Sequence, residues 1–167
     1  MASYTLDTCV MIYVYENPNI GGLVACRLDS SKSNFYVCSM TRMELERKGY
    51  DFYDVVARVQ QNLGAKIIVG DVTPQISENA NILSSGCPCL HWGDKEILSF
   101  AISKHSILVT SDKGLLKCCR KVGAKAINLH GLATNHIKKA FYGRVSRYAK
   151  AIPKESLWDY YAQTRAN

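Results

Sequence analysis

The chain has 167 residues, 47% of them apolar, which suits one domain able to bury most of its apolar surface. Its net charge of +7, with a pI near 9.0, favours a polyanionic partner, most often nucleic acid. No apolar run reaches the roughly 18 residues of a membrane span, and the opening MASYTLDTCVMIYVYE carries an acid where a signal peptide would carry a base, so a cytoplasmic protein with no membrane contact is expected. The seven cysteines are scattered, and reduced thiols serving as small apolar residues are the expectation.

In chain order, SYTL (3–6) is a short strand ending before Asp7, and VMIYVY (10–15) continues as a buried helix. The Gly/Asn/Ser-rich stretch 17–34 has room for a short helix around Gly22–Leu28. FYVC (35–38) is the second strand, and TRMELERKG (41–49) a helix that stops at Gly49. Residues 51–64 place apolar side chains at 52, 55, 56, 59 and 63, which is helical spacing, with Gly64 as the stop. AKIIVG (65–70) is the third strand, followed by a polar helix over 73–86 with Pro74 near its start. The next helix, 94–105, sets Ile97, Leu98, Ala101 and Ile102 on one face. SILVT (106–110) is the fourth strand, 113–123 a helix, and AKAINL (124–129) the fifth strand. Strands alternating with helices predict an α/β fold: a parallel sheet covered by helices on both faces. Ligands of such sheets bind outside the C-terminal ends of the strands.

Four acids belong to that edge. Asp7 follows the first strand, Asp112 follows the fourth, Asp94 opens the helix that returns to the fourth, and Glu44 lies in the first turn of the helix after the second. Each has a local explanation: the aspartates are good helix N-caps, and Thr41 with Glu44 spells a capping box. If the first, second and fourth strands are neighbours, the four carboxylates converge. Four ionised carboxylates at close range repel, and a divalent cation with a preference for oxygen ligands, Mg²⁺ or Mn²⁺, removes the conflict. Asp71, in a turn after the third strand, and Glu96, two residues past Asp94, are weaker candidates.

YTLDTCVMIYV, CSMTRMELER, GDKEILSFAISKHSILVTSDKGL and GAKAINL, in that order, resemble the motifs of the PIN-domain nucleases, which include the VapC ribonuclease toxins. The resemblance covers residues 3–129. It implies a three-layer α/β/α sandwich around a five-stranded parallel sheet of order 3-2-1-4-5, and metal-dependent cleavage of single-stranded or structured RNA, leaving a 5′ phosphate. It makes Asp7, Glu44, Asp94 and Asp112 the catalytic and metal-binding residues, holding one or two ions, with Thr8, Cys9, Thr110 and Ser111 around them. It also implies a homodimer as an expectation and, in the toxin case, a small antitoxin-like protein partner. Cys9 stands where the family usually has Asn or Ser, and a thiol is a poor partner for water bound to a hard cation.

The chemistry needs no Ser–His pair. Two ions about 3.5–4 Å apart can activate a water and hold the leaving oxygen, so the protein need only fix the ions. The expected division is a nuclease domain over 1–130 and a basic helical extension over 131–167. From Lys113 to Lys154 there are 11 basic residues and no acid. Of these, Lys113, Lys117, Arg120, Lys138, Lys139, Arg144 and Arg147 are the expected RNA contacts, outside an apolar stripe of Ile137, Phe141, Val145 and Tyr148. Cys87, Cys89 and His91, with Cys118 or Cys119, have no regular zinc spacing, and packed thiols are the expectation there. The reading is a divalent-metal-dependent ribonuclease. The alternatives are a catalytically weak PIN-fold module that binds RNA or a partner, and the toxin of a toxin–antitoxin pair.

Overall fold

The computed structural model describes residues 1–132. Its strands are β1 (Ala2–Leu6), β2 (Ser33–Cys38), β3 (Ile67–Gly70), β4 (Ile107–Thr110) and β5 (Ala126–Asn128). They form one sheet in the order β3-β2-β1-β4-β5, every pairing parallel. The helices are α1 (Thr8–Glu16), α2 (Pro18–Arg27), α3 (Ser39–Arg47), α4 (Phe52–Leu63), α5 (Pro74–Gly86), α6 (Trp92–Ser103) and α7 (Lys113–Val122). This is the expected sandwich, with β1 at its centre.

The period-two alternation of the strands divides the core. Tyr4, Leu6, Phe35, Val37 and Val109 join α1, α2 and α4 in one cluster. Leu108 and Cys38 join α5, α6 and α7 in the other. The helix limits follow local chemistry. Asp51 caps α4 by accepting from the Asp54 amide (2.8 Å), and Gly64 ends it at φ +60°. Pro74 occupies the first position of α5, where its missing N–H costs nothing.

Several expectations need correction. The stretch after α1 holds a full ten-residue helix, α2, which starts at Pro18 and buries Ile20 and Val24. Helix α3 begins at Ser39, because the Cys38 sulfur accepts from the Met40 amide (3.4 Å) and acts as the cap. Thr41 and Glu44 are therefore not a capping box: Thr41 is buried inside the helix and Glu44 lies in its second turn. Helix α6 begins at Trp92 with His91 at the cap position, so Asp94 is neither its first residue nor its cap. Its buried face uses Phe100 rather than Ile102, which is 44% exposed.

The cysteines are not all reduced. Cys87 and Cys118 form a disulfide with their Cα atoms 5.9 Å apart. Packing of the α5–α6 connection against α7 brings together two residues 31 positions apart. Cys9, Cys26, Cys38, Cys89 and Cys119 remain free thiols. Among the described residues no helix is long and apolar enough to cross a membrane. Of the extension expected over 131–167, all beyond Leu132 lies outside the described residues, and with it the apolar stripe and Lys138, Lys139, Arg144 and Arg147.

Candidate functional site

Parallel pairing sets the C-terminal ends of all five strands at one edge, and a pocket of about 310 Å³ opens there. Asp7, Glu44, Asp94 and Asp112 all line it. The four come from the β1–α1 junction, the middle of α3, the first turn of α6 and the β4–α7 junction.

Asp7 is 4% exposed and is the most firmly held. Its Oδ1 accepts from the Thr8 amide (2.7 Å), and its Oδ2 accepts from the Thr110 hydroxyl (2.5 Å) and the Cys9 thiol (3.0 Å). Its backbone N–H donates to the Val109 carbonyl (3.1 Å), which stitches the end of β1 to the end of β4. Thr110 Oγ1 also accepts from the Asp112 amide (3.0 Å), and the Ser111 amide donates to Cys9 Sγ (3.3 Å). Thr110 and Ser111 thus brace the pocket from behind, while Thr8 and Cys9 line it. Burial and the neighbouring Asp7 charge push the Cys9 thiol up to about 11. It stays protonated and acts as a donor to Asp7, which is how a thiol serves at this position.

Asp112 caps α7, its Oδ1 accepting from the Leu115 amide (2.6 Å). Glu44 Oε2 accepts from the Thr8 hydroxyl. Its other oxygen fits only because residue 93 is glycine: a Cβ at Gly93 would overlap Glu44 Oε1. Asp94 is half-buried, and its pKa rises from the ordinary 3.8 to about 6. Burial is the largest cause, followed by the charges of Asp7, Glu44 and Asp112, with His91 acting in the opposite sense.

Other acids stand apart. Glu46 is exposed and pairs with Arg42 (2.8 Å). Asp71 is exposed and does not line the pocket. Glu96 is buried against α5, where its Oε1 accepts from Ser77 (2.9 Å). Three residues that sequence reasoning missed also line the pocket: Arg47, Lys48 and His91. Their signal is helical spacing, since Arg47 and Lys48 lie three and four residues after Glu44. Lys113, Lys117 and Arg120 are exposed on α7 and do not line the pocket.

Among the described residues no group of three or more His, Cys, Asp or Glu side chains is placed to hold an ion by itself. The donor set nevertheless has the chemistry of a hard divalent cation: four carboxylates, three of them (Glu44, Asp94 and Asp112) with an oxygen not engaged in the hydrogen bonds above, on an open pocket. Such ions keep several waters and take one or two carboxylates rather than a closed protein cage. Cys87, Cys89 and His91 form no zinc site, because Cys87 is consumed by its bond to Cys118.

No family model matches the sequence, and no curated protein matches it. Solved structures do match the fold. The chain is similar to DNA-bound VapBC from Salmonella typhimurium, with 19% identity, a TM-score of 0.59, and coverage of 77% of this chain and 99% of that one. It is similar to VapBC2 from Rickettsia felis, bound to a promoter DNA fragment, with 17% identity, a TM-score of 0.57, and coverage of 75% and 98%. A PilT N-terminus domain protein from Sulfolobus solfataricus matches at 13% identity and a TM-score of 0.51, over 80% and 92% of the two chains. The likeness is one of fold: the chain has the PIN-domain fold.

Proposed function

We propose that the chain is a divalent-metal-dependent ribonuclease that hydrolyses phosphodiester bonds at the acidic pocket, in the cytoplasm. The observation that carries this reading is the gathering of Asp7, Glu44, Asp94 and Asp112 on one pocket, with Asp94 driven up to about 6 partly by the other three. A group of like charges that raises the pKa of its own member is a poor structural device and a suitable cation receptor. Mg²⁺ or Mn²⁺, as one or two ions, would supply charge for the phosphoryl oxygens and acidify a bound water.

The chain's own part is positioning. Asp7, fixed by three donors, anchors the site. Asp112 is oriented by its cap bond and offers its second oxygen. Thr8 aims Glu44, and Asp94, whose carboxyl is pushed up to about 6, would be held in its ionised form by a bound cation. Purified protein incubated with an RNA pool should cleave it with Mn²⁺, but not with EDTA and not as Asp7→Asn. Equal cleavage in all three arms overturns the reading. No cleavage together with tight, salt-sensitive RNA binding replaces it with the binding-module alternative. The VapBC complexes among the solved neighbours favour a second reading, a toxin silenced by a small antitoxin-like protein. Such a partner would place a basic side chain in the pocket, and co-purification with a short protein encoded nearby would support it.

A further inference from the structure

An acidic pocket meant for an RNA phosphate has an electrostatic problem: four carboxylates repel the strand that must enter. The wall formed by the end of α3 answers it. Arg47 and Lys48 line the pocket beside Glu44, and both are exposed. The ion pairs among the described residues are Lys32 with Asp29 and Arg42 with Glu46, so there both pocket cations are unpaired despite four acids on the same pocket. His91 adds a third nitrogen-bearing side chain to the lining. The residue after it, Trp92, is 44% exposed and opens α6 between two residues of the lining, His91 and Asp94. An exposed tryptophan next in the chain to the lining of a cation-bearing pocket suits a nucleobase that is free to leave its stack.

We infer that Arg47 and Lys48 form a phosphate-binding wall and Trp92 a base-stacking platform, which together select single-stranded RNA at this pocket. The inference rests on the ribonuclease reading for its choice of RNA, and its geometry on the lining alone. Duplex stems present phosphates but keep their base faces stacked inside, so they would engage the wall without the platform. The wall acts through charge and the platform through stacking, and the two separate experimentally.

The test uses the full chain in EDTA, so that no cleavage intervenes. The sequence has two tryptophans, and Trp158→Phe leaves Trp92 as the sole tryptophan, excited apart from the tyrosines at the red edge of the absorption band. A ten-nucleotide oligouridylate should quench that emission on binding, and a duplex of the same length should not. Trp92→Ala, followed by anisotropy of a labelled oligouridylate, should weaken binding about tenfold. Arg47→Ala with Lys48→Ala should reduce the slope of log affinity against log salt by about 1.4, two single-strand phosphate contacts at about 0.7 each. The charge-conserving pair Arg47→Lys with Lys48→Arg should restore the slope. Absence of quenching, equal quenching by the duplex, or an unchanged salt slope overturns the inference. These outcomes are independent of catalysis: binding with quenching but no metal-dependent cleavage would sink the ribonuclease reading alone. Cleavage with an unchanged slope and no quenching would sink the subsite alone.

Discussion

Replacing Asp94 by Asn should stabilise the metal-free protein at pH 8, although it removes a charged group from a pocket. The carboxyl titrates near 3.8 in an unfolded chain and at about 6 in the folded one. Below pH 3.8 it is neutral in both states and contributes nothing. As the pH rises from 3.8 to 6 the unfolded state releases the proton first, so stability falls, and above that the loss is complete. The rise from 3.8 to about 6 sets an upper bound of about 3 kcal/mol on this loss. Asp94 is only half-buried, and solvent screening brings the expected value to about 1–2 kcal/mol. Asn is nearly isosteric and carries no charge. Urea denaturation of both proteins in EDTA should therefore show the variant ahead by that amount at pH 8 and nearly level at pH 4. Added Mn²⁺ should stabilise the original more than the variant and reverse the order. A variant less stable at pH 8 in EDTA would refute the picture of mutually repelling acids, because it would mean that Asp94 earns its place through favourable contacts.

Gly93→Ala should reduce metal-dependent cleavage at least about tenfold while leaving the urea midpoint almost unchanged. The new methyl group overlaps only the movable end of Glu44 and makes ordinary contact with Met40, and alanine is at least as good a helix former as glycine. Full activity in this variant would show that the position of the Glu44 carboxylate does not matter. Reduction of Cys87–Cys118, which joins residues 31 apart, should cost about 2–4 kcal/mol, read as a lower melting temperature with dithiothreitol. The same melting temperature with and without reductant would show that the bond contributes nothing.

The alternation of strands and helices was visible in the apolar runs, and caps such as Asp51, Thr73 and Asp112 mark helix starts with residues that do this everywhere. The strand order was not visible in the runs. It came with the motifs, because nothing local says that β1 sits between β2 and β4. Cap chemistry also explains the misplaced helix starts. Cys38 caps α3 through sulfur, a role its residue type rarely advertises, and His91 occupies the α6 cap position without a side-chain bond. Both shifts moved acids within their helices, yet both acids still reached the pocket, because α3 follows β2 and α6 leads into β4 whatever their first residue. Helix α2 was hidden because two of its ten residues are glycines; it holds through Ile20 and Val24 in the core and through Gly21 seated against Asn62. The Cys87–Cys118 bond had no sequence signal, since seven cysteines give no parity and no spacing from which to choose a pair.

The Thr110 hydroxyl touches two carboxylate-bearing residues at once, donating to Asp7 and accepting from the amide of Asp112. Those two acids are 105 positions apart in the chain, yet a single oxygen atom ties their placement together. Anything that drags α7 away from the sheet must therefore loosen the opposite side of the cleft in the same stroke. Assembly of this centre is cooperative at its root: it disengages as a pair, or it stays whole.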